Sequence, residues 1–202
     1  VRSIIAEHMI RSKQTSAHVT SVEEADMTEI WKFRNKIKTD FEKREGFKIT
    51  FLPFFAKAAV EAIKKFPRIN VSVEGNNIIK YNRINLGIAT ALPDGNLIVP
   101  VIKDADSLSV TGLARAMNDL STKARDKKLS PDDIQGGTFS ITNYGSFGTI
   151  IGSPIINQPQ TAIMGVGAIQ KRPVVKELDG QDVIVPRNMV YISLVFDHRV
   201  ID

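Results

Sequence analysis

The chain has no cysteine among its 202 residues, and that absence alone excludes a disulfide framework, a thiol nucleophile and every cysteine-containing metal site. Histidine is almost as scarce. Only His8, His18 and His198 occur, so imidazole chemistry has few candidates. No apolar run reaches the length needed to cross a bilayer and no signal-peptide pattern is present, so the chain reads as soluble and intracellular, without a membrane partner. Charge of one sign is lacking too: 27 basic against 22 acidic side chains leave a formal +5, which suits an anionic ligand without singling out nucleic acid. A nucleic-acid-binding domain would gather Lys and Arg with exposed aromatics on one face, whereas here the basic residues are dispersed and most aromatics fall on apolar stripes. What is plentiful is apolar side chain, 43% of the sequence. That fills one substantial core, and with no linker-like stretch a single domain is expected.

Periodicity gives an alternation of helices and strands. Residues 1–13 space Ile4, Ile5, Met9 and Ile10 as a short amphipathic helix on which His8 is a surface or packing histidine. Residues 17–26 read as a strand with a polar outer face, on which His18 is structural. A helix then starts at Met27, capped near Asp26 or Thr28, with the stripe Met27, Ile30, Trp31, Ile37 and Phe41. Arg34 completes this stripe, either as an arginine whose stem packs while its head reaches water or as a guanidinium held for an anion. The next helix has Thr50 near its cap and Pro53 in its first turn, turns Phe54, Phe55, Ala58, Ala59 and Ile63 inward, and ends at Pro67. Short strands flank Gly75-Asn76-Asn77, and a hairpin or tight strand pair joins residues 84–91 to 97–102 around Pro93-Asp94-Gly95-Asn96. Ser107 or Ser109 caps a fourth helix with Val110, Leu113, Ala114, Met117, Leu120 and Ala124 inside and Arg115, Lys123, Arg125 and Lys127 as a solvated face.

After Gly136-Gly137, residues 138–143 alternate so that Phe139 and Ile141 are buried and Thr138, Ser140 and Thr142 form one hydroxyl row, ending at the turn 143–146. Residues 162–169 form a small-residue strand whose Gly165 and Gly167 permit close approach of a ligand or another strand. This G-x-G lacks the third glycine and the helix of a dinucleotide-binding fingerprint. A strand pair around Leu178-Asp179-Gly180 leads into residues 190–196, apolar on both faces and so a buried strand. The strand stops at Asp197-His198-Arg199, with Asp202 one helical turn later, and sites are commonly built at such strand ends. By position alone a histidine there is more often structural than catalytic, just as Thr142 is more often a strand former or turn cap. Asp197, His198 and Asp202 are conceivable metal ligands, but no second histidine lies nearby and no metal is expected.

The segment Phe196-Asp197-His198-Arg199-Val200-Ile201-Asp202 resembles the terminal signature of the dihydrolipoamide acyltransferases, the core subunits of 2-oxo acid dehydrogenase complexes. Further matches run in the same order through residues 17–20, 51–55, 97–103, 136–143 and 154–157. The resemblance implies an α/β fold of the chloramphenicol acetyltransferase-like type, a mixed β-sheet flanked by helices. It implies a catalytic core domain over residues 1–202 that lacks its C-terminal segment and carries no lipoyl or peripheral-subunit-binding domain. The implied activity moves an acetyl, branched-chain or succinyl group from a dihydrolipoyl thioester to coenzyme A, a substrate. His198 would be the general base, Thr142 the hydroxyl donor to the oxyanion, and Asp202 a support through orientation and ionic contacts. Arg34, Thr50, Ser121, Thr142, Asn143, Ser146, Gly167 and Ile169 match coenzyme A positions, while Leu92 stands where the family often has Asp, so that contact is missing or altered. Implied partners are two further copies in a homotrimer that builds a cubic or icosahedral shell, a lipoyl group on a separate domain, and the decarboxylase and dihydrolipoamide dehydrogenase components. The setting would be a bacterial cytoplasm or a mitochondrial matrix. Two alternatives share the fold. A noncatalytic scaffold would be expected to lose the site histidine, whereas His198 and Thr142 both stand; an antibiotic O-acetyltransferase usually has a second histidine where this chain has Asp197.

Overall fold

The computed structural model describes residues 2–92 and 94–202, so Val1 of the first predicted helix and Pro93 of the predicted turn lie outside the described residues. Its spine is the last strand, β11, Gln181–Asp197. Along one edge β11 pairs antiparallel with β1, His18–Asp26, and along the other successively with β10, Gln170–Leu178, and β9, Ala162–Val166. Asp179 and Gly180, at φ 53° and 76°, turn the chain between β10 and β11, as a two-residue primed hairpin turn requires. The C-terminal half of β11 has neighbours on both edges and core on both faces, so Val190, Val195 and Phe196 are all buried, as the two-sided apolar pattern predicts.

Beyond β9 the sheet continues with β8, Phe139–Asn143, then β4, Leu86–Ile88, and β7, Val101–Ile102. The β8 strand runs parallel to both β9 and β4, and every other pairing in the sheet is antiparallel, so the sheet is mixed. Two small ladders stand apart. One joins β2, Val71–Glu74, to β3, Asn77–Lys80, around Gly75; the other joins β5, Thr90–Ala91, to β6, Leu97–Ile98. The predicted hairpin over residues 84–102 is thus split, its base in the main sheet and its tip separate.

Of the four α-helices described, α3, Leu52–Lys65, and α4, Val110–Arg125, supply the layer against the sheet. Their Phe55, Val60, Leu113 and Leu120 meet Leu86, Ile141, Val166 and Val190 in one cluster. Ser109 caps α4, its hydroxyl accepting from the Gly112 amide at 3.1 Å. Thr50 does not cap α3: the cap residue is Phe51, whose side chain makes no capping bond, and Pro53 within the first turn removes one amide that would need a partner. Ala58 is exposed rather than inward, and Ala56 and Val60 take that burial, a small rotation of the predicted stripe. In α2, Thr28–Glu45, the first amide is satisfied from Asp26, whose carboxylate accepts from Thr28 at 2.9 Å.

Two elements are less covered than their sequence implies. The first helix, α1, Arg2–Thr15, exposes Ile4, Ile5 and Ile10, and β1 is an edge strand that exposes Val19 and Val22. Arg115 is not merely solvated, since it reaches across to α2 and donates to both oxygens of Glu45 at 2.6 and 3.0 Å. Those bonds, with one from Arg44, hold the Glu45 carboxyl down from the usual 4.5 to about 2. No described helix is long and apolar enough to cross a membrane.

Candidate active site

The β8 strand ends at Thr142 and Asn143, where the chain leaves the sheet into a one-turn helix, Gly145–Phe147. Beneath this end lies a cavity of about 550 Å³ lined by Thr50, Ser121, Thr142, Asn143 and Ser146 among others. A second cavity of about 320 Å³ shares Thr50, Asn143 and Ser146 with it and adds Arg34, Gly167 and Ile169. All eight residues matched to coenzyme A positions therefore line two adjoining hollows, although they come from α2, the α2–α3 connection, α4, β8, the one-turn helix after it and the segment after β9. Leu92 lies outside both linings, in the turn where its amide donates to the Asn96 carbonyl at 2.8 Å.

Arg34 is neither packed away nor free. Its Nε donates to the Ile49 carbonyl at 2.9 Å, Nη1 donates to Asn35 Oδ1 at 3.2 Å, and the guanidinium lies 5.4 Å from the centroid of the Phe51 ring. A guanidinium has five N–H donors, so three remain for a ligand. Lys48 and Arg125 also line the larger cavity, which sequence reasoning missed by assigning Arg125 to a solvated face. No local signal marks them, because the α2–α3 connection and the end of α4 meet only in the fold.

His198 stands elsewhere. It follows β11 in a turn fixed by backbone bonds, with the His198 amide donating to the Ala17 carbonyl at 2.9 Å and the Val200 and Ile201 amides donating to the Asp197 carbonyl at 3.1 Å. Asp197 is fully buried, accepting from both Nε and Nη2 of Arg199 and from the Ala17 amide. Burial opposes its ionisation, but hydrogen bonds from Arg199 and Ser16, with the Arg199 charge, outweigh that and hold the carboxyl below the usual carboxylate range. The His198 side chain is about half exposed, its Nδ1 lying 3.8 Å from Asp202 Oδ1. Asp202 lines a third cavity, of about 370 Å³, with Phe66, Arg68 and Ile201. His18, by contrast, is structural as expected: Nδ1–H donates to the Ser16 carbonyl and Nε2 accepts from the Ile156 amide. Among the described residues no group of three or more His, Cys, Asp or Glu is arranged to hold a metal ion.

The strand register sets the distance between the two halves. Thr142 pairs with Gly165, Gly165 pairs with Ser193, and Asp197 lies four residues beyond Ser193 on β11. Two strand spacings across and four residues along amount to roughly 16 Å, and the following turn carries His198 toward β1, away from β8. Within one chain, Thr142 and His198 thus occupy opposite ends of the sheet, far beyond the reach of about 3 Å that joint action on one bond requires.

Comparison with known proteins accounts for this combination of fold and residues. The family described as 2-oxoacid dehydrogenases acyltransferase (catalytic domain) matches residues 1–202. Among curated relatives, the dihydrolipoyllysine-residue succinyltransferase component of the 2-oxoglutarate dehydrogenase complex of Cupriavidus necator is 46% identical over the whole chain. The lipoamide acyltransferase component of the branched-chain alpha-keto acid dehydrogenase complex of Bacillus subtilis is also 46% identical over the whole chain. The chain spans about half the length of these relatives, 47% of each. Among solved structures, a probable dihydrolipoamide acetyltransferase from Listeria monocytogenes matches with TM-score 0.94 and 44% identity, over all of this chain and 84% of that one. The cubic core of the pyruvate dehydrogenase multienzyme complex matches with TM-score 0.92 and 39% identity, over all of this chain and 81% of that one. Chloramphenicol acetyltransferase, at 14% identity and TM-score 0.52 over 97% of this chain and 86% of that one, shares the fold, as the sequence resemblance implies. The chain belongs to the 2-oxoacid dehydrogenase acyltransferase family, as its catalytic domain.

Proposed function

We propose that this domain transfers an acyl group between a dihydrolipoyl thioester and coenzyme A, with each active site shared by two copies of the chain. The observation that carries the reading is the separation itself. Neither of the two adjoining cavities, the larger of which reaches Thr142, has an imidazole in its lining, and the exposed imidazole of His198 lines neither. A cyclic homo-oligomer joins them, because a head-to-tail interface sets one end of each subunit against a different end of the next. The exposed apolar residues Phe147, Ile150 and Ile151, just after Thr142, are suited to burial in such an interface.

The chemistry follows from the groups. Coenzyme A lies along the adjoining cavities, its phosphates met by Arg34, Lys48 and Arg125 and its thiol directed to the interface. His198 takes the thiol proton as general base while the sulfur attacks the thioester carbonyl, an assistance worth on the order of 10²–10⁴ in rate. The carbonyl oxygen becomes an oxyanion and receives a hydrogen bond from the Thr142 hydroxyl of the adjacent copy, worth about 10²–10³. The carbon–sulfur bond to the lipoyl arm then breaks, and His198 returns the proton to the departing sulfur. Asp202 orients the imidazole. The lipoyl group arrives on a separate domain, and the trimer belongs to a shell that binds the decarboxylase and dihydrolipoamide dehydrogenase components.

Two relatives of equal identity carry succinyl and branched-chain roles in their names, so overall likeness does not select the acyl group. The test is a steady-state assay of the full-length protein with free dihydrolipoamide and a panel of acyl-coenzyme A donors. Saturable transfer of one acyl class supports the reading. No transfer from acetyl, succinyl or branched-chain donors by assembled protein would remove it.

A further inference from the structure

Gly167 lines the smaller cavity, and both Gly165 and Gly167 admit part of the loop that follows Thr142. A Cβ at Gly165 would sit 2.6 Å from Cε1 of Tyr144, and one at Gly152 would sit 3.0 Å from the same atom. The Tyr144 ring is therefore sandwiched between two glycines, one on β9 and one at the far end of the loop. Gly167 receives the Ile150 carbonyl where any side chain would clash, and the Ala168 amide donates to the Thr149 carbonyl at 2.9 Å. At the tip of the ring, the Tyr144 hydroxyl donates to the Gly152 carbonyl at 3.1 Å and accepts from the Ser193 hydroxyl at 2.8 Å. Ser193 is completely buried in the middle of β11, where a hydroxyl needs a partner, and Tyr144 provides it.

We infer that Tyr144 is a positioning residue: it latches the 145–152 loop onto β9 and β11 and so holds Ser146 and Phe147 in place as one wall of the coenzyme cavity. Ser146 and Phe147 have no comparable tether. The Ser146 hydroxyl bonds back to the Asn143 carbonyl at 3.1 Å, and Phe147 is 76% exposed, so the wall depends on where the loop is fastened. Tyr144 joins the loop's two ends through Gly152 and ties both to the sheet through Ser193. Tyr144 itself also lines the larger cavity, but its hydroxyl is turned to Gly152 and Ser193, so the latch acts by anchoring the wall and not on the reacting atoms.

The part of this inference that concerns coenzyme A rests on the reading under Proposed function, and two readouts keep the two apart. In full-length assembled protein, Tyr144→Phe keeps the ring in its slot and removes the hydroxyl's two bonds, leaving the loop fastened only by the Ala168–Thr149 bond and by packing. It should raise the KM for coenzyme A roughly five- to tenfold, the effect of one lost hydrogen bond that positions the wall, and raise it by more than kcat falls. Ser193→Ala removes the sheet-side partner, leaves the bond to Gly152 and should act in the same direction, and the double variant should be no worse than Tyr144→Phe alone, since phenylalanine already lacks the hydroxyl that meets Ser193. Amide exchange across residues 145–152, measured without coenzyme A, should be at least several-fold faster in each variant than in the parent, with β9 and β11 unchanged. That exchange readout judges the latch even if the parent fails to bind coenzyme A, a failure that would fall on the functional reading instead. Unchanged loop exchange in both variants overturns the latch. Faster exchange with an unchanged KM overturns the positioning role and leaves Tyr144 a packing residue. Additive effects in the double variant overturn the shared link.

Discussion

Arg34→Leu separates the packing and ligand-binding readings of an arginine on an apolar stripe. Leucine retains contact with Phe51 but leaves the Ile49 carbonyl without the Nε donor at 2.9 Å, so stability should fall by about 1 kcal/mol, the net worth of one such bond. The helix itself should persist, because leucine favours helix as well as arginine does. Ligand binding should suffer more. A hydrogen bond between charged partners contributes about 1.5–3 kcal/mol, so loss of a guanidinium–phosphate contact predicts coenzyme A affinity roughly 10- to 150-fold weaker. Pantetheine, which has no phosphates, should lose less than about threefold. Calorimetric titration of both ligands into parent and variant, with circular dichroism as the control for α2, makes the comparison. Equal losses for the two ligands, or none for either, would refute the argument and return Arg34 to a packing role.

Other outcomes follow from particular contacts. Leu113→Ala, at a fully buried position between α4 and the sheet, should cost about 2–5 kcal/mol in denaturant unfolding while leaving coenzyme A affinity within about twofold. Asp197→Asn should destabilise by about 1–3 kcal/mol near neutral pH, less than for a wholly buried pair because Arg199 reaches water. A carboxyl held below its unfolded value contributes stability above that value, near 3.9, and the contribution is lost as pH falls through the lower folded value. The gap between parent and variant should therefore close below about pH 4, and a gap that widens on acidification would contradict the sign. By the same reasoning, replacing Glu45 with Gln should flatten the acid dependence of stability between the usual 4.5 and about 2, read from melts at successive pH values.

Much of this architecture is legible in the chain because local pattern and tertiary burial agree. The stripe of α4, the two-sided apolar run of β11 and the Asp179-Gly180 turn each carry their own signal. Where prediction slips, the cause is non-local. Thr50 looks like a cap because threonine precedes Pro53, yet the chain approaches α3 with Phe51 already helical, and Thr50 faces the cavity instead. The apolar residues of α1 imply cover that one chain does not provide. Gly165 and Gly167 announce a close approach, but the approaching atoms belong to Tyr144 and Ile150, which no spacing rule connects to them. The site divides in the same way. Its residues stand out through resemblance, whereas the gap between Thr142 and His198 depends on the strand order β11–β9–β8, which periodicity does not encode.

The central claim, that one copy's histidine works with another copy's threonine, is tested most directly by complementation. His198→Ala should lower turnover at least about a hundredfold with coenzyme A binding retained, and Thr142→Val should cost a similar factor. When the two variants are co-assembled at random in equal amounts, roughly a quarter of the interfaces in a closed ring pair an intact His198 with an intact Thr142. The mixture should regain up to about a quarter of parental activity, far above either variant alone. Verified co-assembly with no recovery would contradict the shared site: either both groups act within one chain, across a gap of roughly 16 Å or more, or Thr142 is structural and the pairing is wrong.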